Sequence, residues 1–234
     1  MYLENLVFDA AEPRRLGGFW EAVVDGERLT DEPEGFETRL SIEGGPLLDL
    51  CFQRVAEPST DPPRLHLEVS GGTRPGKEAD RLLGLGARQL DSAPGDASWI
   101  ELVDPGANPF RVSQAAYAGT GPLATISLDS ADPARDAAFW SWLTGWSTVD
   151  AAALRHPSLL GPVVEFRPEA TPKGPAKNPL HLDVRLEVGE DPDDIEAHIV
   201  QRGGATFEPG WGELPWRSYT DPSGNEFCVL PAPA

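Results

Sequence analysis

The 234-residue chain reads as an α+β protein made of two copies of one module. The first observation behind this reading is an ordered repeat. Ala11-Glu12-Pro13 leading to Phe19-Trp20 returns as Ala131-Asp132-Pro133 leading to Phe139-Trp140. Leu65-His66-Leu67-Glu68-Val69 returns as Leu180-His181-Leu182-Asp183-Val184. Asp104-Pro105-Gly106-Ala107-Asn108 returns as Asp221-Pro222-Ser223-Gly224-Asn225, with Trp99 and Trp216 each standing a little before the turn. A repeat of this length is a duplicated module rather than a solenoid unit. The second observation is the alternation inside each copy: strand, helix and several strands, then the same again. That order predicts a pair of βαβββ units per module. The third is size, since each copy is long enough to bury a core. The modules are placed at 1–115 and 122–234, joined by the small-residue segment Ala115-Ala116-Tyr117-Ala118-Gly119-Thr120-Gly121-Pro122.

Each element has a local reason. In the second copy, Thr125 to Leu128 is a β-branched strand, after which Asp132 caps a helix with Pro133 at its first position. Ala138, Phe139, Trp142 and Leu143 recur on that helix at helical spacing. The first copy uses Glu12, a weaker cap. Second helices are predicted near 77–85 and 192–202, before Gly86-Ala87 and Gly204-Ala205, where glycine suits a left-handed terminus. The Asp-Pro-x-x-Asn segments suit hairpin turns.

Alternation sorts each strand into two faces. Leu65, Leu67 and Val69 oppose His66, Glu68 and Ser70, while Leu180, Leu182 and Val184 oppose His181, Asp183 and Arg185. Aligning Gly45-Pro46 with Gly161-Pro162 makes Asp49 equivalent to Glu165. One face of each sheet is expected to meet helices. The other carries His, carboxylate and Arg, which predicts either a ligand-binding concavity or a solvated surface.

Composition narrows the function. The net charge of −19 argues against nucleic acid or an anionic membrane, because phosphate binding needs a basic face. It is compatible with a cationic ligand, and equally with solubility alone. No apolar run approaches the length of a spanning helix, and no export signal is read at the N-terminus. Cys51 and Cys228 are too few for a disulfide framework, so a reducing cytoplasm is the expected compartment. The absence of a nucleotide-binding glycine loop, an acyl-transfer serine motif and a paired CxxC removes several common enzyme classes.

The Phe-Trp helix, the His-Leu-Asp-Val strand and the Asp-Pro-Ser-Gly-Asn-Glu-Phe hairpin resemble the vicinal oxygen chelate superfamily, and within it glyoxalase-like proteins. The resemblance spans nearly the whole chain as a tandem duplication. It implies paired βαβββ units whose mixed sheets form open cups. Its relatives include glyoxalase I, extradiol dioxygenases, methylmalonyl-CoA epimerase, and bleomycin and fosfomycin resistance proteins. It also implies metal-ligand positions on four strands of a unit pair, and this chain departs from the pattern there. The first-strand position falls at Asn5 and Thr125, the fourth near Asp49 and Glu165, the fifth at His66 and His181, and the last at Arg111 and Cys228. If ligands come from both modules, one set is Thr125, Glu165, His66 and Arg111. Arginine stays protonated and cannot ligate. The other set, Asn5, Asp49, His181 and Cys228, could suit zinc or a similar divalent ion. No metal or other cofactor is expected. Both histidines could equally be structural, each bonded to a neighbouring carboxylate or carbonyl.

Trp20 and Trp140 are expected in the core. Trp211, in a Gly/Pro-rich loop with Glu208 and Glu213, either walls the cup or anchors the loop. His156 and His198 read as surface residues. The expected function is a metal-free small-molecule binder that holds an aromatic or cationic ligand, as bleomycin-type resistance proteins do. The predicted ligand-binding residues are His66, Glu68, Asp49, Arg111, Arg185, Trp211 and Trp216. The alternative is a lyase, isomerase or dioxygenase. It would use either the degenerate metal set or acid–base chemistry by His181 with Glu165 or Asp183. A vestigial cup in a regulatory protein is a third reading. A monomer or a homodimer is expected.

Overall fold

A computed structural model describes residues 1–59, 61–90, 98–208 and 214–233. The first unit runs β1 (Tyr2–Ala10), α1 (Pro13–Val24), β2 (Glu27–Glu32), β3 (Gly35–Ser41) and β4 (Leu47–Arg54). The second runs β5 (Leu65–Ser70), α2 (Pro75–Leu85), β6 (Arg88–Gln89), β7 (Trp99–Val103) and β8 (Pro109–Ser113). The third runs β9 (Leu123–Ser130), α3 (Pro133–Thr144), β10 (Ser147–Asp150), β11 (Ala153–Arg155) and β12 (Val163–Pro168). The last runs β13 (Leu180–Arg185), α4 (Pro192–Gln201), β14 (Ala205–Thr206), β15 (Arg217–Thr220) and β16 (Glu226–Leu230). The βαβββ order stands four times, as the alternation predicts.

The sheets do not follow the sequence repeat. One eight-stranded sheet has the order β14-β15-β16-β13-β1-β4-β3-β2, and the other β10-β11-β12-β9-β5-β8-β7-β6. Each therefore joins one unit of the first module to one unit of the second. The seams are the antiparallel pairs β1–β13 and β5–β9. The first sheet thus gathers Asn5, Asp49, His181 and Cys228, and the second gathers Thr125, Glu165, His66 and Arg111.

Helices α1 and α3 lie between the sheets and share one core. Trp20, fully buried on α1, packs on Phe8 of the first sheet at 5.6 Å and Phe110 of the second at 5.3 Å between ring centroids. Trp140 on α3 meets Phe227 at 5.3 Å. Both indoles donate to the aspartate of the repeated turn, Trp20 Nε1 to Asp104 Oδ2 at 2.9 Å and Trp140 Nε1 to Asp221 Oδ2 at 3.1 Å. The conspicuous tryptophans and the Asp-Pro turns are therefore one device, tying the two units of each module across the core.

Local expectations mostly hold. Asp132 accepts from the Arg135 N–H at the start of α3, while Glu12 makes no such bond at α1. The buried stripe of α3 differs from the expected one. Asp136, Ala137, Phe139, Trp140, Leu143 and Thr144 are buried, whereas Ala138 is exposed and Trp142 half-buried. Helix α3 meets both sheets, so its apolar arc is set by the second sheet as well as the first. Gly86 takes the left-handed conformation after α2, but after α4 it is Gly203 rather than Gly204 that does so. No described helix is long and apolar enough to cross a membrane.

Candidate functional site

The first sheet turns its apolar face to the core and its polar face away. Alternation on β13 puts His181 and Asp183 on the polar face. Register then fixes their neighbours: Val7 and Asn5 on β1, and Cys228 on β16 beside Asp183. A cavity of about 420 Å³ opens here. Its polar end is formed by Asn5, His181, Asp183 and Cys228, and Pro215, Trp216 and Leu230 supply apolar lining, while the Phe36 and Phe52 rings pack on the core side of the sheet.

The polar end is desolvated. His181, Asp183 and Cys228 are 5%, 4% and 6% exposed. Asn5 Nδ2 donates to Asp183 Oδ2 at 3.3 Å. His181 Nε2 lies 3.3 Å from Asp183 Oδ1 and 3.9 Å from Cys228 Sγ. Among the described residues, neither His181 Nδ1 nor Asp183 Oδ1 has a hydrogen-bond partner. Buried groups of this kind are normally paired, and leaving them unpaired costs about 1–3 kcal/mol each. Burial and then the charge of Asp183 push the Cys228 thiol up to about 12. Burial and Glu37, which accepts from Cys51 Sγ at 3.2 Å, push the Cys51 thiol well up.

Several predicted site residues move. Asp49 shares the polar face but not the cavity, because Arg39 clasps both its oxygens at 2.7 Å. Its equivalence with Glu165 is also corrected. Strand pairing sets Asn5 against Asp49 and Thr125 against Val163, while Ser127 faces Glu165 as Val7 faces Cys51. The two strands are shifted by two residues relative to the Gly-Pro alignment, which preserves the face and hides the slip. Glu165 lies on the second sheet, accepting from Ser127 Oγ at 3.2 Å, so it does not join His181. Of the proposed acid–base group, His181 and Asp183 are together. Arg185 and Trp216 do line the first cavity, Arg185 being held by Glu4 at 2.5 Å.

His66, Glu68 and Arg111 belong to the second sheet. His66 Nε2 stands 3.3 Å from Asp129 Oδ1, and Glu68 accepts from Ser113 Oγ at 2.6 Å. Trp211 lies outside the described residues. His156 is partly buried against Trp146, and His198 is exposed beside Trp142. Glu37 and Cys51 were not foreseen as site residues. Alternation along Gly35–Ser41 was the available signal for Glu37.

The donor set fits a metal. One ligand atom from each of His181, Asp183 and Cys228 lies within 4.8 Å of the others. Nitrogen, oxygen and sulfur together suit zinc, and Asp183 Oδ1, with only His181 Nε2 close by at 3.3 Å, is placed among the three donors. Asn5 orients Asp183 in this arrangement.

The family model described as Glyoxalase-like domain matches residues 5–113 and again 125–230. Glyoxalase I from Zea mays superposes with a TM-score of 0.69 at 15% identity, covering 98% of this chain and 92% of the maize chain. The cppA protein from Streptococcus pneumoniae TIGR4 superposes at 0.51 with 13% identity, covering 99% and 98%. No curated protein matches the chain in sequence.

Proposed function

Taking as premise that the chain belongs to the glyoxalase-like domain family, within the vicinal oxygen chelate superfamily, we propose that its first cup binds a small planar cation. The ligand is held or carried without a metal. The observation that carries this reading is the buried Asp183 carboxylate, 4% exposed, whose Oδ1 makes no hydrogen bond among the described residues and has His181 Nε2 at 3.3 Å beside it, at the end of a cavity walled by Trp216. A buried carboxylate wants a donor or a positive charge. Trp216 offers an apolar ring face to a flat body, and a ring face also attracts cations. Glu37 adds a second carboxylate, while the nearby Arg185 is already engaged by Glu4.

The test is a tryptophan-quenching and thermal-shift comparison of aromatic amines with neutral compounds of the same shape. Amines are expected to quench and stabilise, and Asp183→Asn should remove the preference for charge. Equal binding of amine and neutral compound by the intact protein would defeat the reading.

A second reading rests on the 4.8 Å clustering of His181, Asp183 and Cys228. These residues would hold zinc, with Asn5 orienting Asp183. The ion would supply a Lewis acid for lyase or isomerase chemistry. Near one zinc per chain in protein purified without chelator, lost in Cys228→Ser, is the result this reading requires. Substoichiometric metal and no rise in melting temperature on zinc addition would remove it.

A further inference from the structure

The duplicate cup has diverged in charge, and we propose that it binds a small organic oxyanion, a carboxylate or a phosphate ester, between Arg111 and Arg167. The first cup is the internal comparison. Arg111 pairs beside Glu68 on β5 as Cys228 pairs beside Asp183 on β13. Arg167 pairs beside Asp129 as Gln53 pairs beside Asp9. His66 faces Ser127 as His181 faces Val7. At two equivalent positions, then, an uncharged side chain of the first cup is an arginine in the second. In a chain of net charge −19, this places positive charge locally against the overall balance.

The arginines line a cavity of about 760 Å³ and their donors are largely unengaged. Arg167 uses Nε on Asp129 Oδ1 at 2.9 Å, and among the described residues its two terminal nitrogens make no hydrogen bond. Arg111 lies over the Trp99 ring, its Cζ 4.7 Å from the centroid, and its ion-pair partner Glu101 is 3.8 Å away. That distance is too long for a hydrogen bond. A stacked guanidinium keeps its edge open for the two oxygens of an incoming anion. His66, between the two arginines in the sheet, keeps its buried Nε2 beside Asp129 Oδ1 at 3.3 Å.

The other charges around the cavity do not cancel this. Asp129 is shared between His66 and Arg167, and Asp61 is exposed. Lys173 and Lys177 also line the cavity, bound to Glu226 at 3.0 Å and Asp9 at 2.7 Å. Arg64 is consumed by Asn225, Glu169 and two backbone carbonyls. The open donors are those of Arg111 and Arg167, and two guanidinium groups meet an oxyanion's need for several N–H groups at once.

The experiment is isothermal titration of the intact chain with benzoate, phenyl phosphate and benzyl alcohol. At least one anion should bind saturably at one site per chain, and benzyl alcohol should not compete. Arg111→Gln should weaken the anion about tenfold or more, the loss of a charged hydrogen-bonding partner. Arg167→Gln should do the same, with its melting temperature measured because Asp129 loses a partner. Arg111→Gln removes the 3.8 Å ion pair with Glu101 and the contact with Trp99, so its melting temperature is measured too, and a variant that keeps its melting temperature decides the matter. Asp183→Asn in the first cup should leave anion affinity unchanged, which separates this site from the cation site. No saturable binding of either anion, or undiminished binding in Arg111→Gln, would overturn the proposal, as would loss of binding in Asp183→Asn.

Discussion

Trp140 and Asp221 show how much one residue pair can carry. Asp221 is 2% exposed and accepts from Trp140 Nε1, from the backbone N–H groups of Ser223 and Asn225, and from Asn225 Nδ2. Burial outweighs these donors and pushes its carboxyl up to about 6. The folded value thus exceeds the unfolded one, near 4. The native state holds the proton to higher pH, so this group's contribution to stability is full below about pH 4 and falls as pH rises to about 6. The difference in unfolding free energy between wild type and Asp221→Asn should therefore shrink from pH 4 to 7, by on the order of 2–3 kcal/mol. A flat difference curve would refute the assignment. Trp140→Phe withdraws a donor from the ionised form and should cost at least about 1–3 kcal/mol in urea unfolding at pH 7. Cys228, with its thiol raised to about 12, should be alkylated at pH 8 about a thousandfold more slowly than an ordinary thiol until the protein is unfolded. Rapid native labelling at Cys228 would show that the thiol is not held as described. None of these values is legible in residue order. The repeat marked Trp140 and Asp221 as paired features, but their contact spans the core.

At the scale of the element, α1 offers a matched test. A Cβ at Gly17 would fall 2.2 Å from the Phe36 ring, whereas Gly18 has nothing within 4 Å. Gly17 faces the Phe36 ring of β3 with no room for a side chain. Gly17→Ala should destabilise by about 1–3 kcal/mol through overpacking, despite alanine's better helix propensity. Gly18→Ala should stabilise by about 0.5–1 kcal/mol, having only the propensity gain. Thermal unfolding of both variants checks this, and a stabilised Gly17→Ala would contradict the packing. Strand faces were readable at this scale, because period-two alternation needs no partner: Leu65–Ser70 shows the expected pattern of buried and half-buried residues. Register was not readable. A slip of two residues leaves every side chain on its face, so Asp49 and Cys51 could not be told apart until β1 paired with β4.

For the whole molecule, the exchange of units predicts the behaviour of fragments. Residues 1–115 alone would lose β13 from the edge of β1 and β9 from the edge of β5. Two such fragments can restore both seams by pairing β1 of one with β5 of the other, as exposed strand edges favour. In sedimentation, the isolated fragment should be a dimer or an aggregate. A stable folded monomer would show that the seams are dispensable. The intact chain closes both seams itself, as its tandem arrangement allows.

The sequence by itself determined the duplicated module, the four βαβββ units, the turns, the Asp132 cap and the two-faced strands, because these depend on local propensity and on periods of two and 3.6 residues. It also placed His66, His181, Asp183, Arg111 and Cys228 on strands with polar faces. Only the tertiary structure decided which of them meet. Pairing of β1 with β13 brought His181 and Asp183 to Asn5 and excluded Glu165, and Arg39 took Asp49 out of the cavity. The physical reason is that a site on a sheet is a product of register and curl between strands far apart in sequence, and side chains competing for the same carboxylate settle the outcome only once the fold has brought them within reach.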